Sequence, residues 1–323
     1  MEYRELGRTG WRVSTISLGT WAMGGGSWGS VDDRESLATL NRALDLGVNL
    51  FDTADAYGSE PLLGKLRRQR SEPFYIATKM GMAVNPDPAG YTRENMTSFV
   101  DGSLRRLGVE TIDLMQLHCP PIEAYNPEVF AVLDELVRQG KIRHYGVSVE
   151  RIVEAERAIE FPGVQSVMII FNIFRQRPVE AFFAEASRRG VGIIARVPLA
   201  SGLLTGKMAP STTFADDDHR TANRNGAWFD RGETFSGVDF ESGLEAVEEL
   251  RSLVPPGTTM AQMALRWILM FPEVTCTVPG AKRPAQLEDN LRAADLAPLS
   301  DETMRAIRTI YDRRIRAQVH ALW

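Results

Sequence analysis

Short apolar, β-rich runs recur along the chain, and each is followed by a stretch of helical periodicity. The runs are TISLG (15–19), VNLFD (48–52), FYIATK (74–79), IDLMQLH (112–118), HYGVS (144–148), VMIIFN (167–172), GIIARV (192–197) and VTCTVPG (274–280). They are apolar on both faces rather than alternating, the pattern of parallel strands covered by helices. Between them, Met96, Phe99, Val100, Leu104 and Leu107 share one helical face, as do Val129, Leu133, Leu136 and Val137. These two patterns run into Gly108 and Gly140, where a left-handed residue stops a helix before the next strand. Eight strand–helix units without a linker predict one α/β domain over residues 1–323, a (β/α)8 TIM-type barrel.

Three segments fall outside the repeat. YRELGRTGWRVS (3–14) reads as a hairpin turning near Gly7 to Gly10, placed to plug the barrel's lower end. The polar stretch from Met208 to Glu241, between the seventh and eighth strands, is long enough to be a functional cover. The tail RRIRAQVHALW (313–323) extends the fold by an extra C-terminal helix, to pack on the barrel or to join a subunit interface.

Composition narrows the function. With 44% hydrophobic and 24% charged residues the chain can bury a large core, and a net charge of -5 gives no broad basic face for nucleic acid. No run approaches the ~20 apolar residues that span a bilayer, and MEYRELGRTGW lacks the layout of a secretory signal, so a cytoplasmic protein is expected. The two cysteines, Cys119 and Cys276, are far apart and lack metal-ligand spacing, which reads as reduced thiols.

Working groups of such a barrel sit where strands end, at the carboxyl face. Asp52 closes the second strand, Tyr57 lies in the loop after it, Lys79 closes the third strand and His118 the fourth. A lysine in line with a strand interior is costly to bury unless paired, which predicts an ion pair between Lys79 and Asp52. Asp55 has no such partner by position and reads as a turn residue. Lys79 against Tyr57 would stabilise a tyrosinate and make the phenol a general acid for an oxygen gaining negative charge, with His118 orienting that oxygen.

In this order and at successive strand ends, FDTADAYG, ATK and QLH resemble the Asp, Tyr, Lys and His tetrad of the aldo-keto reductases. LGTW, GKIRHYGVS, FN, VPLASGLLTGK and TVPGAKRPAQLEDNL extend the likeness along nearly the whole chain, nearest to the bacterial and potassium-channel-β-like branch. The resemblance implies metal-free, NADPH-linked reduction of an aldehyde or ketone, or the reverse, with Asp52, Tyr57, Lys79 and His118 as the catalytic group. Asp52 also enters the implied cofactor set, with Gly19, Thr20, Trp21, Ser148, Asn172, Pro198, Leu199, Gly202, Leu203, Lys207, Gly280, Lys282, Gln286, Asp289 and Asn290. A small-molecule carbonyl is the implied partner. The residues independently favour NADP over NAD. Pro284 suits the first turn of a helix, whose free N–H groups with Lys282 and Arg283 form an anion site fit for a 2′-phosphate.

The likeness fails locally. Val149 and Met168 stand where the family carries amides that hold the nicotinamide carboxamide, a loss of about 1 kcal/mol for each neutral hydrogen bond. Phe171 stands where a ring stacks on the nicotinamide, or else packs in the core. Trp21, Trp28 and Trp228 either line an apolar substrate pocket or pack under loops, and the run GGGSWG (24–29) reads as a mobile loop. Two rivals to carbonyl reduction stand: physiological oxidation of a sugar or cyclitol alcohol, and a cofactor-binding regulatory protein with slow turnover.

Overall fold

A computed structural model describes residues 1–25 and 32–323, so Trp28 and most of the GGGSWG run lie outside the described residues. Strands β1 (Tyr3–Glu5) and β2 (Arg12–Ser14) pair antiparallel with Tyr3 opposite Ser14, forming the expected hairpin. Its turn is pressed against the sheet: a side chain at Gly7 would meet Gln165 O at 2.3 Å and Gly192 N at 2.7 Å, so only glycine allows that approach. Leu6 and Trp11 thereby join Leu50, Ala77, Leu114, Met168, Ile194 and Cys276 in one buried cluster inside the barrel.

The barrel strands are β3 (Leu18–Gly19), β4 (Leu50–Asp52), β5 (Tyr75–Met80), β6 (Ile112–His118), β7 (Ile142–Val149), β8 (Val164–Ile170), β9 (Gly192–Arg196) and β10 (Val274–Thr277). They form one parallel eight-stranded sheet in sequence order. The ends meet through bridges from Ile16 to Thr277 and from Gly19 to Gly280, with Ser17 N donating to Thr277 O at 2.9 Å. At this seam the two outer strands are shorter than their apolar runs. Pro279 lacks an N–H, and its carbonyl instead accepts from Gly19 N at 3.1 Å.

Helices α1 (Asp33–Asp45), α2 (Glu60–Gln69), α3 (Arg93–Leu107), α4 (Pro127–Arg138), α5 (Ile152–Ala158), α6 (Arg177–Ala181) and α7 (Phe183–Arg188) follow β3 to β8. Local chemistry sets their limits: Thr92 caps α3 by accepting from Asn95 N, and Gly108 ends it at φ 67°. After β9 the long insertion folds into α8 (His219–Ala222) and two 3-10 turns, Arg231–Glu233 and Phe235–Gly237. Then come α9 (Phe240–Arg251), α10 (Met260–Leu269), α11 (Pro284–Leu291), α12 (Asp301–Ile310) and a tail ending in α13 (Arg316–Val319).

The tail packs on its own barrel and grips the insertion. Trp323 Nε1 donates to Asp230 Oδ1 at 2.9 Å, and Asp239 N donates to Gln318 Oε1 at 2.9 Å. No helix among the described residues is long and apolar enough to cross a membrane.

Candidate active site

Strand alternation puts Leu50 and Asp52, Ala77 and Lys79, Leu114 and His118, and Ile194 and Arg196 on the barrel's inner side. The first of each pair lies deep, in the interior cluster, and the second stands at the carboxyl rim, one layer higher for Asp52, Lys79 and Arg196 and two for His118, with Gln116 between. Lys79 is 1% exposed and Asp52 5%. Its Nζ donates to Asp52 Oδ1 at 2.8 Å, Asp52 Oδ2 at 2.7 Å and Thr53 O at 2.8 Å. The expected ion pair is therefore present, and its three acceptors match the three ammonium donors. Tyr57 OH lies 3.5 Å from the same Nζ, and the Tyr57 and His118 rings meet edge-on at 5.6 Å.

The electrostatics of the group set its resting protonation. Burial, then Asp52 and Glu233, hold the Tyr57 phenol well above its ordinary range. Lys79 does not activate it at rest, because its short hydrogen bonds go to Asp52 and Thr53. The phenol is thus protonated. Burial, helped by Lys79 and Arg196, holds His118 well below the usual imidazole range, and its Nδ1 has no hydrogen-bond partner among the described residues. A neutral imidazole beside a protonated phenol suits binding of a polarised oxygen. Asp55 lies in the turn as expected, but its Oδ1 is buried without a hydrogen-bond partner, and burial pushes the carboxyl up to about 6.

The insertion covers this group. The Trp21 ring stacks on Tyr57 at 5.8 Å and meets His219 at 5.1 Å and Phe229 at 5.9 Å. Burial brings His219 down to about 4, and its Nδ1 sits 3.0 Å from Thr234 Oγ1. Trp228, in contrast, is half exposed and does not reach the tetrad side.

Beside the tetrad lies a charged cluster that the sequence reading missed. Arg196 Nη1 contacts Glu233, and Nη2 reaches Val149 O at 2.7 Å, Glu150 Oε2 at 3.3 Å and Cys119 Sγ at 3.8 Å. Burial, reinforced by Glu233, holds the Glu150 carboxyl well above its ordinary range, whereas Arg196 and its neighbours bring Glu233 down. Burial also pushes the Cys119 thiol up, which removes it as a nucleophile at neutral pH. An arginine at the end of the otherwise apolar GIIARV run was the available signal, the same one that exposed Lys79.

The residues implied for a cofactor fall in two places. Ser148 pairs in register with His118 and with Met168, next to the tetrad. Asn172 is nearby, its Nδ2 donating to Val197 O and Ser236 Oγ, both at 2.8 Å. Thr20 is buried, bonding Asp52 O at 2.8 Å, and Pro198, Leu199, Gly202 and Leu203 form the turn after β9. Gly280 opens the loop into α11, whose amino end has no side-chain cap and is flanked by Lys282 and Arg283. That uncapped end with its cations fits a phosphate group. Two members of the set are engaged within the protein: Gln286 Oε1 accepts from Lys282 N at 2.9 Å and Asp289 Oδ1 from Gln262 Nε2 at 2.7 Å; Arg283, outside the set, pairs with Glu35 at 3.3 Å. Asn290 Nδ2 reaches Gly280 O at 3.4 Å, and Lys207 is exposed. Phe171 takes the second of its two readings, packing in the core. It shares the helix-facing side with Val167 and Ile169, and its ring packs on Phe183, Trp267 and Phe271 at 4.8–5.1 Å, away from the tetrad.

Residues 15–312 match the model of the Aldo/keto reductase family. The chain belongs to that family. It is 33% identical to Aldo-keto reductase YhdN of Bacillus subtilis, across 98% of this chain and 95% of the relative. A probable voltage-gated potassium channel subunit beta of Arabidopsis thaliana is 29% identical across 93% of each. Among solved structures, the glycerol dehydrogenase AKR11B4 from Gluconobacter oxydans superposes with a TM-score of 0.80 at 30% identity, covering 97% of this chain and 96% of the other. This aldo/keto reductase is accordingly an oxidoreductase on the family's barrel, of a family that generally works with NAD(P)H.

Proposed function

We propose that the chain is a cytoplasmic, NADPH-dependent reductase of an aldehyde or ketone, with Tyr57 as proton donor. The observation that carries this reading is Lys79 Nζ, fixed on both Asp52 oxygens and 3.5 Å from the Tyr57 hydroxyl beside His118. When bound, the nicotinamide cofactor supplies the hydride. Ser148 and Asn172 would hold its nicotinamide end, and Lys282, Arg283 and the amino end of α11 its phosphate end, which favours NADP over NAD. His118 positions the carbonyl oxygen. Tyr57 delivers its proton there, and the Lys79 ammonium, 4.7 Å from the ring centre, stabilises the phenolate left behind. Asp52 keeps that ammonium in place.

Replacing Tyr57 with phenylalanine should cut NADPH-linked reduction of a model aldehyde by about 10²–10⁴-fold, the usual worth of a positioned acid. NADPH binding, followed by fluorescence, should survive. Turnover retained by Tyr57→Phe would exclude this residue as the donor. The same groups serve alcohol oxidation in reverse, a reading favoured by the structural likeness to a protein named glycerol dehydrogenase. Rates in both directions at cellular cofactor ratios separate the two. The channel-subunit relative favours a regulatory role instead, which would show as NADPH binding with negligible turnover over a broad carbonyl panel.

A further inference from the structure

Three guanidinium nitrogens near the tetrad are buried without a hydrogen-bond partner among the described residues: Arg196 Nε and both Nη atoms of Arg175. Arg196 is 7% exposed and Arg175 5%. Arg175 lies on the Trp323 ring at 4.0 Å, with Nη2 facing Gly232. The carboxylates at hand are few. Glu150, its carboxyl pushed up by burial, lies 3.3 Å from Arg196 Nη2, and Asp230 lies at the exposed edge, taking Trp323 Nε1 at 2.9 Å and Gly232 N at 2.6 Å. Arg196 thus holds both Glu233 and Glu150, and neither hydrogen-bonds the Nη atoms of Arg175 among the described residues.

Glu233 differs from its partners in origin. Arg196 stands at the end of a barrel strand and Arg175 follows β8 closely, whereas Glu233 arrives on the insertion. Its segment is seated by Ser201 Oγ, which donates to Glu233 O at 3.0 Å and accepts from Phe235 N at 3.0 Å, and by the Ser236 bond to Asn172. Phe235 and Ser236 hold φ of 52° and 59°, a left-handed backbone that side chains disfavour. The carboxylate is therefore presented to the Arg196 guanidinium by a strained strap of the insertion.

We propose that Arg196 and Arg175 form an anion subsite of the catalytic pocket, which takes the carboxylate or phosphate of a carbonyl substrate, and that Glu233 is its resident stand-in. A guanidinium offers paired N–H donors matched to either group, and the orphaned donors here exceed what one carboxylate satisfies. Arg196 lies 3.8 Å from the thiol of Cys119, the neighbour of His118, so an anion held there belongs to a substrate whose carbonyl faces the tetrad. A neutral substrate gives two buried cations nothing in exchange for Glu233.

The substrate assignment rests on the reductase reading, so the deciding measurement avoids turnover. Benzoate, inorganic phosphate and neutral benzamide are titrated calorimetrically into the full chain at fixed ionic strength. The variant is Glu233→Gln combined with Glu150→Gln, so that Glu150 cannot ionise and take over the pairing. Benzoate or phosphate should bind at least tenfold tighter to it than to the parent, and whichever anion gains identifies the group. Adding Arg196→Gln should cancel the gain. If that triple variant unfolds, Arg196→Lys keeps the charge, loses the fork and should lose most of the gain. Equal binding of benzoate, phosphate and benzamide to the double variant would overturn the subsite, with water satisfying the orphaned donors. Reduction of a neutral aldehyde without anion binding sinks only the subsite. Anion binding together with turnover that survives Tyr57→Phe sinks only the tetrad reading.

Discussion

The tetrad and the Arg196 cluster share one rim and are built in opposite ways. Asp52, Lys79 and His118 stand on strand ends, and the three short donations from Lys79 all meet acceptors of the second strand and its loop. Around Arg196 three partners, Val149, Glu150 and Cys119, come from the barrel and one, Glu233, from the insertion, and donors are left without acceptors. The non-glycine residues with positive φ among the described residues are Cys119, Val197, Ala200, Ser201, Phe235 and Ser236, and all lie at that second cluster or the turn beside it. Each left-handed side chain costs roughly 1–2 kcal/mol. In one region the Lys79 ion pair is fully satisfied on a frame of strand ends; the other holds backbone strain.

The sharpest test of the rigid half is to break its ion pair. Lys79→Met leaves Asp52 buried and unpaired, which should destabilise the fold by about 3–5 kcal/mol in chemical denaturation. Adding Asp52→Asn should return most of it, since neither buried charge then remains. A Lys79→Met chain as stable as its parent would show that this pair does not hold the rim.

Asp55 marks the boundary of that half, because the satisfied network stops there. Its carboxyl titrates at about 6 in the fold against 3.8 outside it. Between those values the folded chain binds more protons than the unfolded one, so stability is greatest below pH 3.8 as far as this group is concerned. It is lost as pH rises through 6. The ionised form then costs roughly 2–3 kcal/mol at neutral pH. Asp55→Asn should remove that loss, raising the melting temperature at pH 7.5, raising it about half as much at pH 5 and hardly changing it below pH 3.8. The same gain at every pH would mean that the effect is not the charge.

What the sequence made legible follows from the same contrast. Eight apolar runs gave the strands because parallel strands under helices must be apolar on both faces, and IDLMQLH matched β6 to the residue. Asp52, Lys79 and His118 were readable because an ionisable side chain at the end of such a run needs a partner. Arg196 carried that signal too, but its partner Glu233 is 37 residues on, inside a polar stretch where one more glutamate is unremarked. Phe171 was left between two readings although strand parity held the answer: counted from inward-facing Met168, it falls on the outer side. The covering role of Trp21, His219 and Phe229 depends on how the insertion folds back, which no periodicity encodes.

The smallest effect expected probes the join between the two regions. Met168 is buried inside the barrel and pairs in register with Ser148, so an amide there could reach a group held by Ser148. Met168→Gln should tighten NADPH binding about fivefold in a fluorescence titration, the worth of one neutral hydrogen bond near 1 kcal/mol. The barrel interior offers a competitor. Gln116, two strands away on β6, has both amide atoms buried without partners among the described residues. An introduced amide that turned down to Gln116 would stabilise the fold and leave the cofactor untouched. Higher melting temperature with unchanged affinity would therefore show that methionine at 168 is a packing choice, and that the loosened grip on the nicotinamide has its cause elsewhere on the rim.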